Sequence, residues 1–228
     1  MPLNVLNNHQ EKSFFSILGP EFSEEDYVGI DLSHQKTFEL AIDLSTEFGL
    51  QNYLVNYLKL NKAKAAFGGY LEKRSLYDRS SYFGDSSYSH KRNIHLGLDV
   101  WAPEGTPVYS PLPGKIHSQQ DNLNYGDYGP TIILEHQFEK QVFYTLYGHL
   151  SRESLHSYKV GEEILKDNPL AVLGSNEVNG NYAPHLHFQL ILDIETHSGD
   201  YPGVTSEATL NFYKKNCPDP NLLLNFRS

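Results

Sequence analysis

The sequence predicts a mainly β domain built on an antiparallel sheet and preceded by a helical extension, α+β overall. Two observations carry this expectation. The chain holds 16 Tyr and 12 Phe, residues that suit half-buried strand faces and cleft walls. After Gly69, short β-type runs follow one another with turn residues between them and no helical pattern, which favours an antiparallel sheet over a βαβ array.

The extension comes first. Over residues 35–48, Phe38, Ala41, Ile42 and Phe48 fall near helical spacing, and Gly49 is a C-terminal stop. A second helix is expected over 52–66 from Tyr53, Val55, Tyr57, Leu58 and Leu60, ended by Gly68-Gly69. The β runs follow at 106–110, 131–136, 142–147, 170–173 and 185–192. They are punctuated by Pro111-Leu112-Pro113-Gly114, by the stretch 125–130 and by Asn179-Gly180-Asn181. The tail reads as a turn, Cys217-Pro218-Asp219-Pro220-Asn221, and a docking segment, Leu222-Leu223-Leu224. The expected division is an extension over 1–75 and a β domain over 76–228.

Composition narrows the function. A formal net charge of −10 disfavours nucleic acid and anionic membranes as partners. Lys62, Lys64, Lys73 and Arg74 form only a diluted basic cluster, read as a solvated helix end. Cys217 is the single cysteine, so an internal disulfide and a multi-cysteine metal site are both excluded. Met1-Pro2-Leu3-Asn4 lacks the basic and apolar regions of a secretory leader, and no run reaches the roughly 18 apolar residues of a membrane span. The expectation is a cytoplasmic chain.

Three short elements carry chemistry. In His185-Leu186-His187-Phe188-Gln189-Leu190, strand alternation puts His185, His187 and Gln189 on one face. Two imidazoles roughly 6–7 Å apart on that face can approach a single ion. In His95-Leu96-Gly97-Leu98-Asp99 a straight strand would separate the two polar Cα atoms by about 13 Å. Gly97 permits a bend and leaves no side chain where an ion would sit. In Tyr144-Thr145-Leu146-Tyr147-Gly148-His149, the histidine falls at a strand end. Each element alone also reads as a pattern of solvent-facing or hydrogen-bonded polar residues, which is the commoner case for His95 with Asp99 and for His149.

Together, in order and spacing, they resemble the lysostaphin-like and β-lytic zinc metallopeptidases: His-x-x-x-Asp, a His after an aromatic strand, then His-x-His. The resemblance runs from about Asn93 to Ile191 and takes in Ala102-Pro103-Glu104-Gly105-Thr106-Pro107-Val108 and Gly161-Glu162-Glu163-Ile164. It departs from the family at Gly129-Pro130, where an Asn is usual. The resemblance implies one zinc ion held by His95, Asp99 and His187, with His149 and His185 flanking an activated water. It implies a predominantly antiparallel fold with the metal in a groove, and peptide or muropeptide substrates. With no His-Glu-x-x-His in the chain, the base and oxyanion donor fall to His149 and His185, in an order the sequence leaves open. His136 reads as structural. His9, His34, His90, His117, His156 and His197 read as surface residues, and Asp127 and Glu135 as solvated charges.

Two rivals have different consequences. Residues 107–116 and 160–164 resemble the hammerhead of biotinyl and lipoyl carriers, but the exposed acceptor lysine of those domains is absent. A zinc-binding scaffold without activity would keep the fold and lose turnover. The segment 68–88 leads into the metal strand, so Tyr70, Arg74 and Tyr77 are expected near the groove, Arg74 available to a substrate carboxylate.

Overall fold

The computed structural model describes residues 13–42, 47–83 and 91–227. His9 and His90 lie outside them. The strands are β1 (Tyr27–Gly29), β2 (Ala65–Gly68), β3 (Ile94–His95), β4 (Leu98–Trp101), β5 (Pro107–Tyr109) and β6 (Gly114–Asn122). They continue with β7 (Gly129–Phe138), β8 (Gln141–Gly148), β9 (Glu163–Ile164), β10 (Pro169–Val172), β11 (His185–Ile191) and β12 (Val204–Thr205). The helices are α1 (His34–Glu39), α2 (Glu47–Asn61), α3 (Leu210–Asn216) and α4 (Asn221–Leu224).

Eight strands form one sheet in the order β1-β2-β4-β11-β8-β7-β6-β9. The β1–β2 pair is parallel and every other pair in this sheet is antiparallel. The mainly β class expected from the sequence is therefore the class found. Two small two-stranded sheets, β10-β5 and β12-β3, complete the strands.

Alternation sorts the sheet into two faces. Leu98 and Val100 of β4 and Leu186, Phe188 and Leu190 of β11 point into the larger core with Leu134, Tyr147 and Ile164. The opposite face carries Asp99, His185, His187 and Gln189. Beside them, Leu96, Tyr128, Leu146, Ile191, Tyr201 and Cys217 pack as a second cluster.

The extension is woven into this sheet. The expected helix at 52–66 ends instead at Asn61, and Ala65-Ala66-Phe67-Gly68 becomes β2, paired with β4. Lys62 adopts φ +54° at the break, a left-handed conformation that stops a helix. The other expected helix, 35–48, is split: α1 covers its first turns and α2 begins at Glu47. The tail docks as expected. Phe226 stacks against Phe67 at 4.5 Å and Tyr27 at 4.7 Å between ring centroids, and Phe15 N donates to Leu224 O.

His136 is structural here, 2% exposed, with Nδ1 donating to Pro113 O at 2.9 Å and Nε2 2.7 Å from Thr145 Oγ1. Burial pushes its pKa down from the ordinary 6.5 to about 4. The unfolded chain therefore binds this proton first. Its contribution is complete above pH 6.5 and is lost as pH falls through about 4. The expected loss is ~3 kcal/mol. Urea titrations between these limits should show a shallower acid slope for His136→Gln than for the wild type. Equal slopes would refute the assignment.

Candidate metal centre

Asp99 and His187 face each other across the β4–β11 ladder, and His187 is in turn opposite Gly148 at the end of β8. The next residue, His149, leaves the strand with φ +63°. That left-handed turn is held by His149 N donating to Tyr128 O and Gly174 N donating to His149 O, both at 2.9 Å. It swings the imidazole beside that of His185, with ring centroids 4.2 Å apart. His95 arrives from β3, and the chain breaks at Leu96-Gly97 before β4 resumes. A Cβ on Gly97 would lie 2.5 Å from His187 Cε1 and 2.6 Å from Nε2. Gly97→Ala should therefore displace the His187 ring and weaken metal binding by about 10–100-fold. Competition with a chromophoric chelator measures this, and wild-type affinity in the variant would sink it.

All five predicted residues converge, each 1–5% exposed. Their hydrogen bonds fix the tautomers. His95 Nδ1 donates to Gly69 O at 3.0 Å, which leaves Nε2 unprotonated. Gln189 is oriented by donation from its Nε2 to Pro202 O at 3.1 Å, so its Oε1 accepts from His187 Nε2 at 2.9 Å. The other ring nitrogen, His187 Nδ1, faces His95 and Asp99. These two nitrogens are 2.8 Å apart, and each is 3.2 Å from Asp99 Oδ1. Asp99 Oδ1 is buried and has no hydrogen-bond donor. Two ring nitrogens and one carboxylate oxygen thus converge on one point. Two imidazole nitrogens and a carboxylate oxygen, all within 4.8 Å of one another, could hold a metal ion, and all three are ligand types that zinc accepts. The residues fit the ion.

Electrostatics agree. Burial works against ionising Asp99, but His95 and the Arg74 guanidinium outweigh it and hold its pKa well below the usual carboxylate range. Burial pushes His95 down to about 4. His149 is driven well below its ordinary value by burial and by the neighbouring His185 and His187; His185 is lowered by burial. Both are neutral at pH 7. His149 Nδ1 donates to Asn179 O at 2.8 Å and His185 Nδ1 to Ala183 O at 2.7 Å. Each keeps an unprotonated Nε2, and that of His185 lies 4.0 Å from Asp99 Oδ1.

The cleft over these residues, about 100 Å³, is walled by Tyr77, Phe83, Arg92, Trp101, Tyr182 and His197 among others. Some expectations change here. His197 lines the cleft and packs on Tyr201 at 4.8 Å rather than lying apart on the surface. Asp127 is 5% exposed and accepts from Tyr128 N, so it is a buried turn residue and not a solvated charge. Of the three residues expected from the 68–88 segment, Arg74 and Tyr77 line the cleft. Tyr70 instead donates to Cys217 O. Arg74 is engaged by Asp99 and Glu72, and so is committed within the protein rather than offered to a substrate carboxylate.

Residues 93–198 match the model of Peptidase family M23. Curated relatives include an uncharacterized metalloprotease of Haemophilus influenzae, 30% identical over 42% of this chain and 18% of the relative. Another is the peptidoglycan DD-endopeptidase ShyC of Vibrio cholerae, 29% identical over 43% of this chain and 20% of that protein. The chain thus spans about a fifth of the length of these relatives. Among solved structures, the catalytic domain of the antimicrobial peptidase lysostaphin from Staphylococcus simulans matches at TM-score 0.40 and 24% identity, over 68% of this chain and 96% of the other. No helix among the described residues is long and apolar enough to cross a membrane.

Proposed function

We propose that the chain is a zinc-dependent metalloendopeptidase that hydrolyses peptide bonds in peptidoglycan-type or other small Gly- and Ala-rich peptides. The observation that carries this is the convergence of His95 Nε2, His187 Nδ1 and Asp99 Oδ1 within 3.2 Å of one another in a buried cluster. One zinc per chain at these atoms would polarise the scissile carbonyl and activate water. His149 and His185 supply what the metal does not. Each presents an unprotonated Nε2 at the cleft, held by a carbonyl behind it, so either can accept a proton from the attacking water. Once protonated, that ring can donate to the departing amine, while the second steadies developing negative charge. The similarity to a peptidoglycan DD-endopeptidase supports the substrate class.

The test is to purify the protein, measure zinc by elemental analysis, and assay short muropeptides, a peptide panel and intact wall sacculi with and without chelator. Stoichiometric zinc and chelator-sensitive cleavage are expected. Zinc without cleavage of any member would favour a scaffold of the same fold.

A further inference from the structure

Arg74 lies outside the segment matched to the family, yet its guanidinium touches a residue of the metal centre. Its side chain is 2% exposed, with Nη1 donating to Asp99 Oδ2 at 2.5 Å and Nε donating to Glu72 Oε2 at 2.8 Å. Glu72 is itself anchored, accepting from Leu32 N at 3.3 Å through its other oxygen. The face of the guanidinium lies 5.7 Å from the Trp101 ring. Behind it, Gly69 has φ +107°, and a Cβ there would be 2.0 Å from Arg74 Nη2 and 2.9 Å from His95 Nδ1. The segment that seats His95 through the Gly69 carbonyl therefore also seats Arg74.

This arrangement treats the two oxygens of Asp99 differently. Oδ2 is occupied by the guanidinium, and Oδ1 alone faces His95 and His187. We infer that Arg74 is a positioning residue that makes Asp99 a one-oxygen ligand, so that a bound metal keeps a coordination position open beside His149 and His185. The inference rests on the metal centre proposed above. A carboxylate without such a partner can turn and offer both oxygens to an ion, and the ligand count then no longer leaves the open position that catalysis needs. A planar guanidinium suits the task because one rigid fork bonds two carboxylates in fixed directions. If Arg74 were only a stabilising ion pair, its removal would change the melting temperature and leave coordination alone.

Cobalt(II) substitution separates the two, because its visible absorption weakens and shifts as coordination rises above four. The R74M variant, which keeps most of the side-chain volume, should still bind one cobalt per chain with undiminished affinity. Its absorption should weaken towards the higher-coordinate form, and zinc-dependent turnover should fall by about 10–100-fold. R74K retains a donor for Oδ2 and should restore the wild-type spectrum. A wild-type spectrum in folded R74M overturns the inference. Independently of any variant, a crystal structure of the zinc-loaded wild type should show Arg74 on Oδ2 and a single Asp99 oxygen at roughly 2.0–2.2 Å from the ion. Two bonded oxygens, or a guanidinium swung away, would overturn it. A wild type that binds neither metal would remove the metal centre itself, an outcome distinct from unaltered coordination in R74M.

Discussion

Asp99→Ala should abolish metal binding and destabilise the protein at the same time. The first effect follows from removal of one of three ligands converging on a single point. The second follows from what is left behind. Arg74 is 2% exposed and would lose the nearer of its two carboxylate partners, keeping only Glu72 at 2.8 Å. Breaking a buried pair by removing one partner typically costs about 3–5 kcal/mol, because the remaining charge stays desolvated. His95→Ala removes a ligand without stranding a charge, so it should lose metal with a smaller fall in the stability of the metal-free protein. Denaturant titrations of the metal-free variants measure the contrast. Equal stability of metal-free Asp99→Ala and wild type would refute the account of the Arg74–Asp99 pair.

His149→Ala and His185→Ala should instead keep the metal and lose turnover, by about 10²–10⁴-fold each if they move the proton and steady the oxyanion. Neither belongs to the three-residue ligand cluster. Their rings are 4.2 Å apart, so they act on one substrate from adjacent positions, and the double variant should lose less than the product of the two single losses. Elemental analysis together with single-turnover assays tests this. Loss of zinc from either variant would reassign it as a ligand.

The parts of this centre legible in the sequence are those with short-range signatures. His-x-x-x-Asp and His-x-His lie within single stretches of chain, and the bend expected at Gly97 occurs where a Cβ would strike the His187 ring. The supporting layer is different. Gly69 O and Asn179 O orient His95 and His149, but a backbone carbonyl has no side-chain signature. Arg74 meets Asp99 from 25 positions away; the sequence places it near the groove, but nothing in it pairs the guanidinium with Asp99 and not with a substrate carboxylate. Strand β6 escaped notice because its inward positions include Ser118 and Asn122, buried at 4% and 5%, so no apolar alternation marks it. Strand β2 escaped because Ala65-Ala66-Phe67 continues a helical pattern, which sheet pairing to β4 overrides.

The pairing of β2 with β4 also bears on how the chain reaches this state. Ala66 pairs with Trp101, Asp99 with His187, and Phe15 N bonds Leu224 O, contacts between segments far apart along the chain. Contacts of such separation close late, since loop entropy must be overcome before they form. The region that holds the three proposed ligands should therefore assemble after the local β7–β8 hairpin. An ion bound to them should slow unfolding and leave the refolding rate nearly unchanged. Stopped-flow refolding with and without zinc would show it, and on this view the centre acts as a latch on a finished structure and not as its seed.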